Sequence, residues 1–505
     1  MRRTLFITTL ILLFAGCSGA RVETTLAPAQ AEMASDRTIE VTILQMNDVY
    51  EITPVEGGKR GGLARVATVR DQLLAENPNT ITVIAGDFYS PSALGTAQVD
   101  GERLAGKQMV AVLNELGLDY AAYGNHEFDV DRESFYQRIE ESAFEYLASN
   151  ITDENGHLFP STATHYILKF PGQPGDTLRM ALVGSTLDSN QKEYVRYSDP
   201  LATIKQLVDD LANRTDAQIA LTHLAIDQDE ELAAEVPELD LIMGGHEHEN
   251  IQVLRGPDLT PITKADANAR TVYIHRLTFD PVTKKLEVAS DIKLITDAIQ
   301  DDPATAQVVD KWVDIAFAGF REQGLKPGQP VVTLTEPMDG RESSVRNEST
   351  RLTDLIAQAM LSAASDADVS IYNSGSIRID DVLPPGTLIE YDVIRILPFG
   401  GDILIADMKG SLLDSTLTQG VDNKGSGGFL QHAGVVWEDG AWKVDGNPID
   451  PDQTYRVAIN DFLASGRESG LNYLSFNNPS MTQVESHGDI RFAVIAELKK
   501  QYGEK

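Results

Sequence analysis

A chain of 505 residues exceeds what one hydrophobic core usually holds, so two globular domains are expected. Its composition, 42% hydrophobic and 23% charged with three Trp, 15 Tyr and 16 Phe, is that of a folded protein, and no apolar stretch beyond the N-terminus is long enough to span a bilayer. The formal net charge of -34 argues against nucleic-acid polymers as partners, because a phosphate backbone would be repelled, but it leaves room for a small phosphorylated substrate whose charge is met locally by metal ions and a few arginines.

At the N-terminus, Arg2 and Arg3 precede an apolar run from Leu5 to Ala15, the layout of a secretory signal peptide. Residues 14–18, Phe-Ala-Gly-Cys-Ser, resemble a bacterial lipobox, with Phe14 where Leu is usual and with the only cysteine of the chain, Cys17. The expectation is a signal peptide over 1–17, lipid on Cys17 as the sole membrane contact, a tether over 18–37 and a place in the periplasm or outer envelope of a bacterium. An ordinary secreted protein with an accidental cysteine is the alternative. One cysteine allows no internal disulfide, so stability rests on the cores or on bound metal.

From residue 38 to 250, short runs rich in Val, Ile and Ala alternate with helix-period segments, the pattern of an α/β sheet buried on both faces. Helices are expected over Gly61 to Asn77 and over Leu201 to Arg214, where Leu201, Ile204, Leu207, Val208 and Leu211 fall on one face. Five strand runs stop at side chains with chemistry: Asp48, Asp87, Asn125 with His126, His223, and His246 with His248. In open α/β sheets ligands gather beyond the carboxyl ends of strands, so these ends converge on one place. Gly86, Gly124, Gly244 and Gly245 let the backbone turn there. Carboxylate, imidazole and amide oxygen without thiolate suit divalent Zn, Mn, Co or Fe, and an Asp bridging two ions beside His and Asn is how a two-metal hydrolytic site is assembled.

These motifs resemble the calcineurin-like metallophosphoesterases, specifically the 5'-nucleotidase family, with GNHEFD the most specific match. The resemblance implies a four-layer N-terminal β-sandwich flanked by helices, a linker helix and a smaller α/β C-terminal domain, over 38–300, 301–328 and 329–505. It implies that Asp48, Asp87 and His248 hold one ion, that Asp87, Asn125, His223 and His246 hold the other, and that His126 and Asp129 are the catalytic pair. Tyr50 stands where the family's D-x-H motif has its His. Either Tyr50 coordinates an unusual metal, or it packs beside a site with fewer protein ligands.

Further along, a strand is expected around Thr271 to Phe279, and Asp302-Pro303 opens an amphipathic segment with Val308, Trp312, Ile315, Ala316 and Phe320 at helical spacing. Beyond it, the segments around STRLTDLIAQAM, VSIYNSGSIR, LPFGG, GGFLQHAG and NDFLASGRESG resemble, in order, the substrate-binding segments of the family. By that resemblance Arg346 and Arg378 contact the substrate with Asn373 and Gly375, Phe399 and Phe462 sandwich the base, and Glu468 replaces the Asp that recognises ribose. The Asn of many relatives is Gly401 here, which removes a contact to the base edge. Read without the family, Phe399 and Phe462 are ordinary core residues.

The implied activity is metal-dependent hydrolysis of 5'-nucleotides to nucleoside and phosphate, with substrate held between the domains and hinge motion near the linker helix. The alternatives are a nucleotide phosphodiesterase or pyrophosphatase, acting on cyclic nucleotides or nucleotide sugars, and a weakly catalytic nucleotide-binding lipoprotein. The metal, the base and the oligomeric state are left open.

Overall fold

In strand Ile39–Met46, Ile39, Val41 and Ile43 face one side while Leu44 and Met46 face the other, and all five are buried. A strand buried on both faces must be covered twice, and the computed structural model, which describes residues 37–503, shows both covers. The expected signal peptide, lipobox and tether up to residue 36 lie outside the described residues. Ile39, Val41 and Ile43 pack with Met180, Leu182, Ile219, Leu221, Leu241 and Met243 of a second sheet. Leu44 and Met46 pack with helices Leu63–Glu76 and Lys107–Leu116. On the far side of the second sheet, Ala181, Val183, Ala220 and Ile242 meet helices Pro200–Leu211 and Ile226–Glu235. The N-terminal half is therefore a helix–sheet–sheet–helix sandwich.

The first sheet has seven strands, ordered Lys285–Leu294, Thr271–Asp280, Ile39–Met46, Thr80–Ala85, Tyr120–Ala122, Glu145–Leu147 and Thr162–Ala163. From Ile39–Met46 onward neighbours run parallel, with Leu44 opposite Thr82 and Ile84 opposite Ala121. The second has six, ordered Ile251–Arg255, Thr260–Lys264, Leu241–Gly244, Ala217–His223, Thr177–Thr186 and His165–Pro171. Within it Ala220 lies opposite Val183 and Ile242, both in parallel pairings. The five chemistry-bearing runs thus divide between two sheets, three in one and two in the other. Strand Lys285–Leu294 was not anticipated; it is an exposed sheet edge with many polar side chains, and edges need little apolar patterning.

The two expected helices are observed as Leu63–Glu76 and Pro200–Leu211, the second capped by the Asp199 side chain, which accepts from the Ala202 amide. Asp302 likewise caps helix Pro303–Glu322 by accepting from the Thr305 amide, and Pro303 takes the first position. On that helix Ala316 and Phe320 are buried and Val308, Trp312 and Ile315 pack against the same core.

In the C-terminal half, Thr350 caps helix Arg351–Ala363, which leads to strand Val369–Asn373. That strand belongs to a five-stranded sheet ordered Leu430–Ala433, Val369–Asn373, Thr454–Asn460, Asp402–Lys409 and Met481–Asp489. Leu352, Ile356 and Met360 join Val494 and Leu498 of helix Ile490–Tyr502 in one core, while Leu413 and Leu417 of helix Gly410–Asp422 join Val457 and Ile459 in another. Helices therefore cover the sheet, giving a two-domain α/β architecture.

Candidate active site

The strand ends meet because a backbone bond joins two ends of the first sheet and side-chain bonds tie that sheet to the second where they stop. The Asp48 amide donates to Gly86 O at 3.0 Å, His223 Nδ1 lies 2.7 Å from Ala85 O, and Gln45 Nε2 donates to Gly244 O at 3.1 Å. Turning a strand abruptly at a ligand requires unusual backbone. Asp48, Asp87, His246 and His248 all have positive φ, of 52, 57, 91 and 59°. Non-glycine residues are uncommon there and gather at functional sites. Gly86 has φ 78°, and a Cβ on it would come within 2.6 Å of His223 Nδ1, so only glycine lets Asp87 and His223 approach.

One buried carboxylate organises these loops. Glu127 accepts the amides of Asp87, Phe88, Tyr89 and Gly124 at 2.8, 2.6, 3.0 and 2.6 Å. Its burial and the neighbouring Asp87 charge raise it to about 7. The loop of His246 and His248 is held by buried Lys264, whose Nζ donates to Gly245 O at 2.8 Å and lies 2.5 Å from Glu247 Oε2 and 2.9 Å from Asp229 Oδ2. Neither residue was singled out from the sequence. Glu127 sits inside GNHEFD but bears no ligand role, and Lys264 reaches its loop only through the fold.

Asp48, Asp87 and His248 bring ligand atoms within 4.8 Å of one another. His248 Nε2 is 3.5 Å from Asp48 Oδ1, and His223 Nε2 is 3.2 Å from Asp87 Oδ2. Asp87 is the common member: its Oδ1 also accepts the His126 amide at 2.8 Å. His223 Nε2 and Asn125 Oδ1 are buried with no hydrogen-bond partner, the kind of orphaned donor atoms that a cation satisfies. His246 stacks edge-on to His223 with centroids 5.4 Å apart, and burial together with the His223 charge depresses it to about 3, leaving a neutral imidazole. The donor set of carboxylate, imidazole and amide oxygen around Asp87 fits divalent metal ions.

Tyr50 Oη lies 2.8 Å from His248 Nε2, 3.1 Å from Asp87 Oδ2 and 3.5 Å from Asp48 Oδ1. Burial and the charges of Asp87 and Asp48 hold the phenol well above its ordinary value.

His126 and Asp129 are paired, Nδ1 to Oδ2 at 2.6 Å. Asn190 Nδ2 donates to Asp129 Oδ1 at 2.7 Å, fixing the carboxylate. Burial works against a charged His126, yet Asp87 and Asp129 hold it above its usual value.

A cavity of about 700 Å³ joins these groups to the C-terminal half, with Asp87, His126, His246 and His248 on one side and Glu342, Arg346 and Asp380 on the other. Arg346 pairs with Glu342, and Arg378 stands 3.9 Å from the same carboxylate with its Nε buried and unpartnered. Arg378 also lies over the Phe399 ring, 6.0 Å from its centroid. Phe399 and Phe462 are 43% and 37% exposed, so neither is a core residue. Arg467, not anticipated, lies 5.1 Å over Phe462. Asn373 Nδ2 donates to Glu468 Oε2 at 2.8 Å, and a Cβ on Gly375 would come 3.3 Å from the same Nδ2, so these three lie together outside the cavity lining. Gly401 has φ 101°, and a Cβ there would come 2.5 Å from Asp461 Oδ1. The sequence signal stopped at Arg378, two positions before Asp380, whose Oδ2 lies 2.9 Å from His248 Nδ1.

The profile of calcineurin-like phosphoesterases matches residues 41–250, and that of the 5'-nucleotidase C-terminal domain matches 330–475, in the order of the two halves just described. The chain belongs to the 5'-nucleotidase family. Protein UshA of Yersinia enterocolitica is 26% identical over 93% of this chain and 92% of its own. A 5'-nucleotidase of Vibrio cholerae is 26% identical over 98% and 94%. The fold matches the crystal structure of a 5'-nucleotidase precursor from Thermus thermophilus with TM-score 0.74 and 21% identity, covering 92% of this chain and 97% of that one. This 5'-nucleotidase family member is a phosphoric ester hydrolase that acts on nucleotides with divalent metal ions.

Proposed function

We propose that the protein hydrolyses 5'-nucleotides to nucleoside and phosphate, with residues 38–300 carrying the chemistry, 301–328 linking and 329–505 binding substrate. The observation that carries this is the cavity in which Asp87, His126, His246 and His248 face Arg346 across the two halves. Asp48, Asp87 and His248 would hold one ion, and Asp87, Asn125, His223 and His246 the other. When bound, such ions polarise a phosphoryl oxygen and activate the attacking water.

The chain's own residues supply the rest. Asp129 accepts the Nδ1 proton of His126, which leaves Nε2 to meet a phosphoryl oxygen or the leaving oxygen. The neighbouring Asp87 and Asp129 carboxylates favour the protonated form of His126. Arg346 and Arg378 neutralise phosphate, and Arg346 exchanges its bond to Glu342 for the substrate's oxygens. Phe399 and Phe462 offer exposed faces on which a base stacks. Asn373 and Glu468, already bonded to each other, are placed for ribose hydroxyls, with Gly375 beside them. With Gly401 in place of an amide side chain, the base edge is read weakly.

Export follows from the charged then apolar N-terminus, and Cys17 carries the lipid that anchors the protein in the bacterial envelope. Among the described residues no helix is long and apolar enough to cross a membrane.

The test is phosphate release by metal-stripped protein resupplied with Mn, Zn, Co, Mg or Fe, on AMP, UDP-glucose and cyclic nucleotides, with His126→Ala as the control. Metal-dependent release from AMP, lost in the control, supports the proposal. Turnover confined to UDP-glucose or cyclic nucleotides replaces it with a diesterase or pyrophosphatase, and nucleotide binding without turnover replaces it with a binding protein.

A further inference from the structure

His248 belongs to the N-terminal half by sequence, but its ring is held from the C-terminal half. Nε2 faces Tyr50 Oη at 2.8 Å and Asp48 Oδ1 at 3.5 Å. On the opposite edge, Nδ1 lies 2.9 Å from Asp380 Oδ2, while Glu342 Oε2 is farther off at 3.9 Å. Asp380 is 6% exposed, and its second oxygen accepts the Glu342 amide at 2.8 Å, so the carboxylate cannot rotate away. Its backbone has φ 38°, an uncommon conformation outside glycine.

The next residue continues the junction. Asp381 Oδ2 accepts the Glu56 amide at 3.1 Å and Arg395 Nη2 at 2.9 Å. Tyr391 Oη donates to Glu51 Oε2 at 3.0 Å. Glu51 follows Tyr50 in sequence, so the C-terminal half grips both the loop after Asp48 and the ring of His248.

An imidazole that donates Nδ1–H to a fixed carboxylate has one tautomer and one ring orientation, with the Nε2 lone pair aimed at the ion. We infer that Asp380 is the positioning residue for His248, so that the ion shared by Asp48, Asp87 and His248 is held fully only when the two halves are docked. This rests on the proposal that His248 is a metal ligand. It makes the first ion's site a product of both halves, whereas the second ion's proposed ligands Asn125, His223 and His246 all come from the N-terminal half.

The test is zinc transfer from the fully loaded, full chain to a chromogenic chelator, compared among wild type, His248→Ala and Asp380→Asn. Asn tolerates positive φ, but it cannot accept from both the Glu342 amide and His248 Nδ1 with two oxygens. Loss of the ion in His248→Ala and a release phase accelerated ~10–100-fold in Asp380→Asn, with the other phase unchanged, are the expected results. If His248→Ala leaves both phases untouched, His248 is not a ligand and the underlying proposal falls. If His248→Ala removes one phase while Asp380→Asn changes neither, or changes both equally, the positioning role is overturned. Should Asp380→Asn not fold, the zinc-loaded wild type decides: an Nδ1 proton resonance that vanishes in His248→Ala and shows a hydrogen-bonded downfield shift supports the inference, and an unshifted or rapidly exchanging one refutes it.

Discussion

His126 and Asp129 lie on one short 3-10 turn, His126–Asp129, which directs both side chains to the same side and permits their 2.6 Å contact. Removing the imidazole by His126→Ala is expected to lower turnover by ~10²–10⁴-fold without changing metal content, measured by kinetics and metal analysis on the same preparation. Tyr50 is the position at which sequence reading left two outcomes open, and its hydroxyl lies 3.1 Å from Asp87 Oδ2 and 2.8 Å from His248 Nε2. Tyr50→His, which places an imidazole where the family has one, is expected to tighten zinc at the first site by ~10-fold, on the scale of a single well-placed group, and chelator titration would read it. No difference between wild type and variant would show that the phenol is already an equal ligand. Gly86 and the positive φ of Asp87 illustrate why GD dipeptides at strand ends were readable: a sharp turn that presents a carboxylate demands that pairing.

At the scale of elements, the two sheets are fastened by polar side chains that an apolar pattern does not reveal. Gln45 of Ile39–Met46 donates to Thr263 O at 2.9 Å, and its Oε1 lies 2.9 Å from His275 Nε2. His275, fully buried in Thr271–Asp280, has Ser290 Oγ 2.8 Å from its other nitrogen. Burial depresses its pKa from 6.5 to about 3. The folded state therefore resists protonation that the unfolded state accepts, so stability is full above about 6.5 and is lost as pH falls from there towards about 3. The slope is at most about 1.4 kcal/mol per pH unit. Denaturant unfolding across that window should show a shallower acid loss in His275→Gln than in wild type, whatever the offset between them at neutral pH. Helix Pro200–Leu211 was legible from its apolar face, and helix Pro303–Glu322 from Asp302 followed by Pro303, which announces its start. The edge strand Lys285–Leu294 was not, since half its side chains face water.

For the whole molecule, the junction between the halves buries charged groups: Tyr391 donates to Glu51 across it, and Asp381, which Arg395 pairs within the C-terminal half, accepts the Glu56 amide from the other side. Arg395 is buried against Asp381 at 2.9 Å, and the Glu51 carboxyl, raised by burial, is bonded to Tyr391. Arg395→Met should lower stability by about 3–5 kcal/mol, because it strands a buried carboxylate. Calorimetry would register this as an earlier first transition, and an unchanged thermogram would mean that this pair does not stabilise the C-terminal half beside the junction. If substrate exchange requires the halves to separate, the same variant should raise KM more than it lowers kcat at low temperature, where folding is intact.

By itself the sequence determined the residue types of the candidate site, their order along the chain and the strand ends that carry them, because residue chemistry, apolar periodicity and turn-forming glycines are local properties. Asp48, Asp87, Asn125, His126, His223, His246 and His248 could be named for that reason. Only the tertiary structure decided that the strands form two sheets and not one, that Glu127 and Lys264 hold the loops, and that Asp380 reaches His248 from 132 residues away. Those contacts depend on which faces pack together, and packing between distant segments leaves no spacing in the chain from which to read it.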